Sequence, residues 1–190
     1  MKNDSCRKLK CVFVTSLVAT ACLAADYEVS EPGTVTFPSP VSYDKLYVSA
    51  GAKGPVLFDQ KSFARDADHA NSFTAYDAVS SSDVTFSGGW WDFGAVTGTE
   101  LNFYTVNDAV STPSGRTVTF TDSAVVTNIG TSILGGRKDG VNNVIGIRDG
   151  AAVWMNRLVL GQRQAGRQQN RCMISAGGSL TLRELDFSDS

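Results

Sequence analysis

The chain has 190 residues, of which 42 % are hydrophobic, and its 17 basic and 19 acidic side chains give a formal net charge of −2. This length allows one domain with a sizeable core, and 18 glycines among many serines and threonines favour β structure and turns over helices. Of the four cysteines, only Cys172 lies beyond the first 24 residues. A disulfide framework within the rest of the chain is therefore excluded.

Residues 1–24 are typical of a bacterial secretory signal peptide. Four basic residues precede an apolar run over residues 11–24, which ends in small side chains before the polar Asp26. The run is too short to span a bilayer comfortably. We expect cleavage after Ala24 and export to the outer cell surface or the medium. A second interpretation reads residues 18–22 as a loose lipoprotein box that ends in an acylated Cys22, and a periplasmic location also ranks below export.

Residues 25–114 form the less regular part of the chain. Short β candidates lie at residues 35–37, 46–48 and 56–58, and each is bounded by Pro, Gly or Ser, as strands between tight turns are. Residues 61–82 are more polar, and we expect a loop excursion or a frayed coil there.

Residues 115–190 contain the strongest signal, a sequence that repeats with a constant step of 27 residues. Apolar residues recur in three columns: Phe120, Ile147 and Ile174; Val118, Ile145 and Cys172; Val126, Val153 and Leu180. A period of this size with alternating β-type residues predicts a solenoid, in which each coil buries its apolar edge against the next. We predict an all-β fold, a parallel, right-handed β-helix with coils of about 27 residues and less regular amino-terminal coils.

The last residues of the chain continue this pattern. Leu180, Leu182, Leu185 and Phe187 alternate as another strand would. Because a solenoid needs a polar cap at each end, we expect the chain to be the amino-terminal piece of a longer protein, with its membrane contact limited to the signal peptide or a missing carboxy-terminal anchor.

The repeats at residues 134–155 and 160–182 resemble those of bacterial autotransporter passengers and of related secreted proteins with autotransporter-associated β-strand repeats. Both copies combine a glycine-rich corner, a polar pair, alternating β-branched residues and a second small-residue corner. The resemblance implies a secreted or surface-exposed protein with an adhesive or structural role, and it supplies no catalytic residues.

The densest aromatic cluster follows Gly88 and Gly89 and contains Trp90 and Trp91. An exposed indole offers a large, rigid face on which a sugar ring can stack. The alternative is that both side chains pack inside the coils, and it is the more common situation for such residues. Trp90 and Trp91 are thus the predicted glycan-binding residues, and surface glycans or other cell-surface polymers are the predicted partners.

A β-helix polysaccharide lyase is the enzymatic alternative, with Arg148, Arg163 or Arg167 as the base. Such an enzyme works with clustered acidic calcium ligands, but the acidic residues here (Asp59, Asp66, Asp68 and Asp77) are spread without a ligand spacing. His69 has no partner at a catalytic spacing. We therefore predict no catalysis, no cofactor and no metal, and the signal peptide argues against nucleic acid as a partner.

Overall fold

The computed structural model describes residues 26–37, 41–49, 53–61, 72–80, 82–93, 100–102, 115–134, 142–160 and 169–187. Their regular structure consists of β-strands, which run in chain order as β1 Tyr27–Val29, β2 Gly33–Val35, β3 Val41–Val48, β4 Val56–Asp59, β5 Ser72–Ser80, β6 Val84–Ser87, β7 Trp90–Asp92, β8 Glu100–Asn102, β9 Thr117–Thr121, β10 Val125–Leu134, β11 Val144–Ile147, β12 Ala152–Leu160, β13 Arg171–Ile174 and β14 Ser179–Asp186. The signal peptide prediction lies outside the described residues.

The strands form two parallel sheets between which the chain alternates. Sheet 1 has the order β1-β3-β5-β7-β10-β12-β14, with β8 placed between β5 and β10, and sheet 2 has the order β2-β4-β6-β9-β11-β13. Each strand pairs with the equivalent strand of the coil before and after it, and the pairing is parallel in every case. The prediction of a parallel β-solenoid is therefore confirmed.

The predicted 27-residue step is the register of the regular coils. Phe120 pairs with Ile147, and Ile147 pairs with Ile174. Toward the amino terminus the same column continues through Phe86 and Phe58, with steps of 34 and 28 residues. Thus the amino-terminal coils stack in the same way but differ in length, as predicted.

Aromatic rings fill the core of these less regular coils. The rings of Phe58 and Phe86 stack with their centroids 5.1 Å apart, and Phe86 stacks on Phe120 at 5.3 Å. Phe37 lies over Phe58 at 6.2 Å and covers the amino-terminal end of this stack. Since each ring is nearly or completely buried, the stack removes a large apolar area from water.

Tight turns join sheet 2 to sheet 1 in the three regular coils. In each turn the first carbonyl oxygen accepts a hydrogen bond from the fourth backbone N–H, over residues 121–124, 148–151 and 175–178. Both central residues have positive φ in all three turns, as in a type I′ turn. The small residues Ser123, Gly150 and Gly177, which recur in register in the sequence, are the second central residues.

Two expectations about the amino-terminal half need correction. The polar residues 61–82 do not stay irregular, because Ser72–Ser80 forms a strand that pairs with β3 along almost its whole length. The strand predicted at residues 35–37 ends at Val35, and Phe37 lies beyond it in the core. Backbone pairing to an existing strand organises a polar segment that has no apolar pattern of its own.

Candidate functional site

The outer surface of sheet 1 carries an exposed tryptophan on a regular strand. In β12, Val153 and Met155 are buried, so the alternation of the strand turns Trp154 outward, where its side chain is 41 % exposed. We call the surface around it the indole face, which consists of Trp90, Asp92, Thr127, Asn128, Trp154 and Thr181.

Polar side chains lie next to Trp154 on both neighbouring strands. On β14, Thr181 is its register partner. On β10 the register shifts between Val126 and Ile129, so both Thr127 and Asn128 oppose Trp154. Asn128 has a φ of 60° and donates a hydrogen bond from Nδ2 to Asp92 Oδ1 over 3.0 Å. This bulge places an amide, a carboxylate and two hydroxyl groups around the indole.

The two tryptophans predicted as glycan ligands lie in different environments. Trp91 is 0 % exposed; its Nε1 donates to the carbonyl oxygen of Gly88 over 2.6 Å, and its ring packs edge-on against Phe86 at 5.0 Å. Trp91 therefore has no face open to a ligand, and it matches the packing alternative. Trp90 points the other way on β7 and is half-buried.

Trp90 and Trp154 occupy the same outer face. Trp90 pairs with Val125, which pairs with Ala152, two residues before Trp154. Two strand spacings and two residues along a strand put their Cα atoms about 12 Å apart. A ligand that contacts both indoles is consequently an oligosaccharide or polymer rather than a single sugar ring.

A column of polar side chains marks the corner between the sheets. Ser87 donates to Asp122 Oδ2 over 2.7 Å, and Lys61 Nζ lies 3.0 Å from Asp122 Oδ1. One coil further on, Thr121 donates to Asp149 Oδ2 over 2.7 Å. The hydrogen bond from Ser87, and then that from Lys61, hold the pKa of Asp122 below its usual value. These bonds tie successive coils together, so we assign the column to the stability of the fold.

The other residues named from the sequence do not gather into one site. Cys172 pairs with Ile145 in its predicted column, where burial raises the pKa of its thiol and so disfavours the thiolate. Asp59 accepts a hydrogen bond from the Lys61 backbone N–H, and Arg148 lies 3.6 Å from Asp149. Asp66, Asp68, His69, Arg163 and Arg167 lie outside the described residues, and Asp77 belongs to β5.

Within the part of the chain that the structure describes, no three His, Cys, Asp or Glu side chains converge as metal ligands would, and no helix has the length and apolarity to cross a membrane. Comparison of the chain with protein families, with curated proteins and with solved structures found no match.

Proposed function

We propose that this chain is an exported β-solenoid with a structural and adhesive role, which binds glycans on its indole face without catalysing a reaction. The observation that carries the proposal is Trp154, a large exposed indole in the middle of a regular parallel sheet with hydroxyl and amide groups on the adjoining strands. An indole covers the apolar C–H face of a sugar, and the polar groups beside it accept and donate hydrogen bonds to the sugar hydroxyls.

The rigidity of the surface supports this role. β12 is hydrogen-bonded on both sides, to β10 and to β14, and Val153 and Met155 anchor it in the core. Trp154 is thus held in place before a ligand arrives, so binding immobilises little of the backbone.

Export is the second part of the proposal. It is supported by the basic, apolar and small-residue order of residues 1–24 and by the resemblance of the repeats to autotransporter passengers. If the chain is exported as we propose, the amino terminus of the secreted protein is Ala25, and sequencing that terminus tests the cleavage site. An acylated Cys22 at the terminus would instead assign the chain to the lipoproteins.

A glycan array probed with the full chain tests the binding function, followed by calorimetry with the best ligand. Trp154→Ala should weaken binding about 30-fold, which corresponds to the about 2 kcal/mol lost on truncation of a tryptophan hot spot. Met173→Ala is the matched control, because Met173 is also exposed but lies in sheet 2. An array without ligands, or equal affinities of the Trp154→Ala variant and the parent chain, would refute glycan binding at this face.

A further inference from the structure

The last coil of the solenoid leaves its apolar columns uncovered. Ile147 is 0 % exposed, whereas Ile174, one coil further on, is 50 % exposed. Leu158 and Leu185 show the same change, from 1 % to 48 %, and Phe187 is 66 % exposed. We call this surface the C-terminal face; it consists of Cys172, Ile174, Leu180, Leu182, Leu185 and Phe187. It forms a groove of about 520 Å³ in which nine of the ten lining residues are apolar.

Backbone groups at the same face also lack partners among the described strands. β13 pairs with β11, and β14 pairs with β12, so each has one edge without a neighbouring strand. An edge strand beside an uncovered apolar surface is a template for another strand. The C-terminal face therefore suits an occupant that brings both a β-strand and apolar side chains.

The amino-terminal end of the solenoid does not offer that combination. There Val29 and Phe37 are buried, and none of the exposed large hydrophobic residues in the described ranges belongs to the first coils. The described residues up to Lys53 carry four acidic and two basic side chains. In contrast, the two arginines of the last coil, Arg171 and Arg183, are balanced by Glu184 and Asp186.

We propose that the occupant is a second copy of this chain, bound through its own C-terminal face in a two-fold symmetric dimer. The face is apolar and carries no net charge, so a copy of itself matches it better than the acidic, covered amino-terminal end does. A two-fold axis sets the edge strands of the two copies antiparallel, a pairing that satisfies their free N–H and carbonyl groups. This contact also closes the assembly, whereas stacking of one copy's end on the other copy's beginning would continue without limit.

Sedimentation velocity of the purified full chain over a concentration series tests the dimer. The parent chain should sediment as a monomer–dimer equilibrium. A double variant, Leu185→Glu with Phe187→Glu, should weaken the dimer at least 10-fold, because it sets like charges against each other in an apolar contact. Both side chains are about half exposed or more, so the variant is expected to fold, and circular dichroism checks this. Trp154→Glu is the control, since Trp154 is exposed on the indole face.

Hydrogen exchange supplies a second measurement that needs no variant. Amides of β13 and β14 should exchange more slowly at dimeric than at monomeric concentration, while those of β3 should not change. A chain that stays monomeric, a ladder of ever larger species, or a dimer that only Trp154→Glu disrupts would each overturn the proposal. A monomer would leave a further β-coil as the occupant, and a ladder would indicate head-to-tail stacking.

Discussion

The same substitution at two places in one core column gives a sharp test of the solenoid. Ile147 and Ile174 are register partners on β11 and β13, but Ile147 is fully buried and Ile174 is half exposed. Ile147→Ala removes a side chain enclosed by the coils on both sides, so we expect a loss of about 3 kcal/mol in the free energy of unfolding, within the range for such cavities. For Ile174→Ala we expect about 1 kcal/mol, because half of the side chain already lies in water and no closed cavity forms.

Urea unfolding followed by circular dichroism measures this difference of about 2 kcal/mol from the change in midpoint at constant slope. The protein concentration must lie below the dissociation constant of the dimer, so that Ile174 stays uncovered. Equal losses for the two variants, or a larger loss for Ile174→Ala, would mean that the column does not change from enclosed to open between these two coils.

Three further predictions concern a turn, a polar column and the tryptophans. Gly178→Ala should destabilise the last coil by about 2 kcal/mol or more and speed hydrogen exchange in β14, because its Cβ would lie 2.4 Å from the Ile147 carbonyl oxygen; unchanged exchange would contradict this close approach. The lowered pKa of Asp122 means that its contribution to stability is complete above the usual Asp pKa of 3.8 and disappears as the pH falls through the lower folded value. Asp122→Asn should therefore destabilise the fold by roughly 1 kcal/mol at neutral pH and flatten the acid limb of its stability curve, and an unchanged limb would refute the assignment. A neutral quencher should reach Trp154 but leave Trp91 protected, which single Trp→Phe variants can resolve; protection of Trp154 would remove the indole face.

The columns of the regular coils could be predicted because their physical cause is periodic. Each coil buries the same positions against the next, so Val118, Ile145 and Cys172 recur at one step in the sequence as well as in space. The turns followed for the same reason, since each needs two central residues that tolerate positive φ. Repetition makes long-range contacts readable from a single chain.

The candidate site was only half visible in the sequence. Density of aromatic residues pointed to Trp90 and Trp91, but strand alternation places Trp91 in the core and Trp154 outside. The signal for Trp154 was present, because it lies between the column residue Val153 and the apolar Met155. The polar neighbours of Trp154 were not predictable, since the bulge that brings Asn128 opposite the indole shifts the register within β10.

Spin labels on two strands test most directly the stacking on which both the indole face and the C-terminal face depend. Thr119, Gly146 and Met173 share one register column on neighbouring strands of sheet 2. Labels at Thr119→Cys and Met173→Cys, in a chain whose native cysteines are replaced by serine and which is diluted with unlabelled protein, should lie about 10 Å apart, two strand spacings, and broaden each other's spectrum strongly. A spectrum equal to the sum of the two singly labelled chains would place these strands apart and contradict the solenoid.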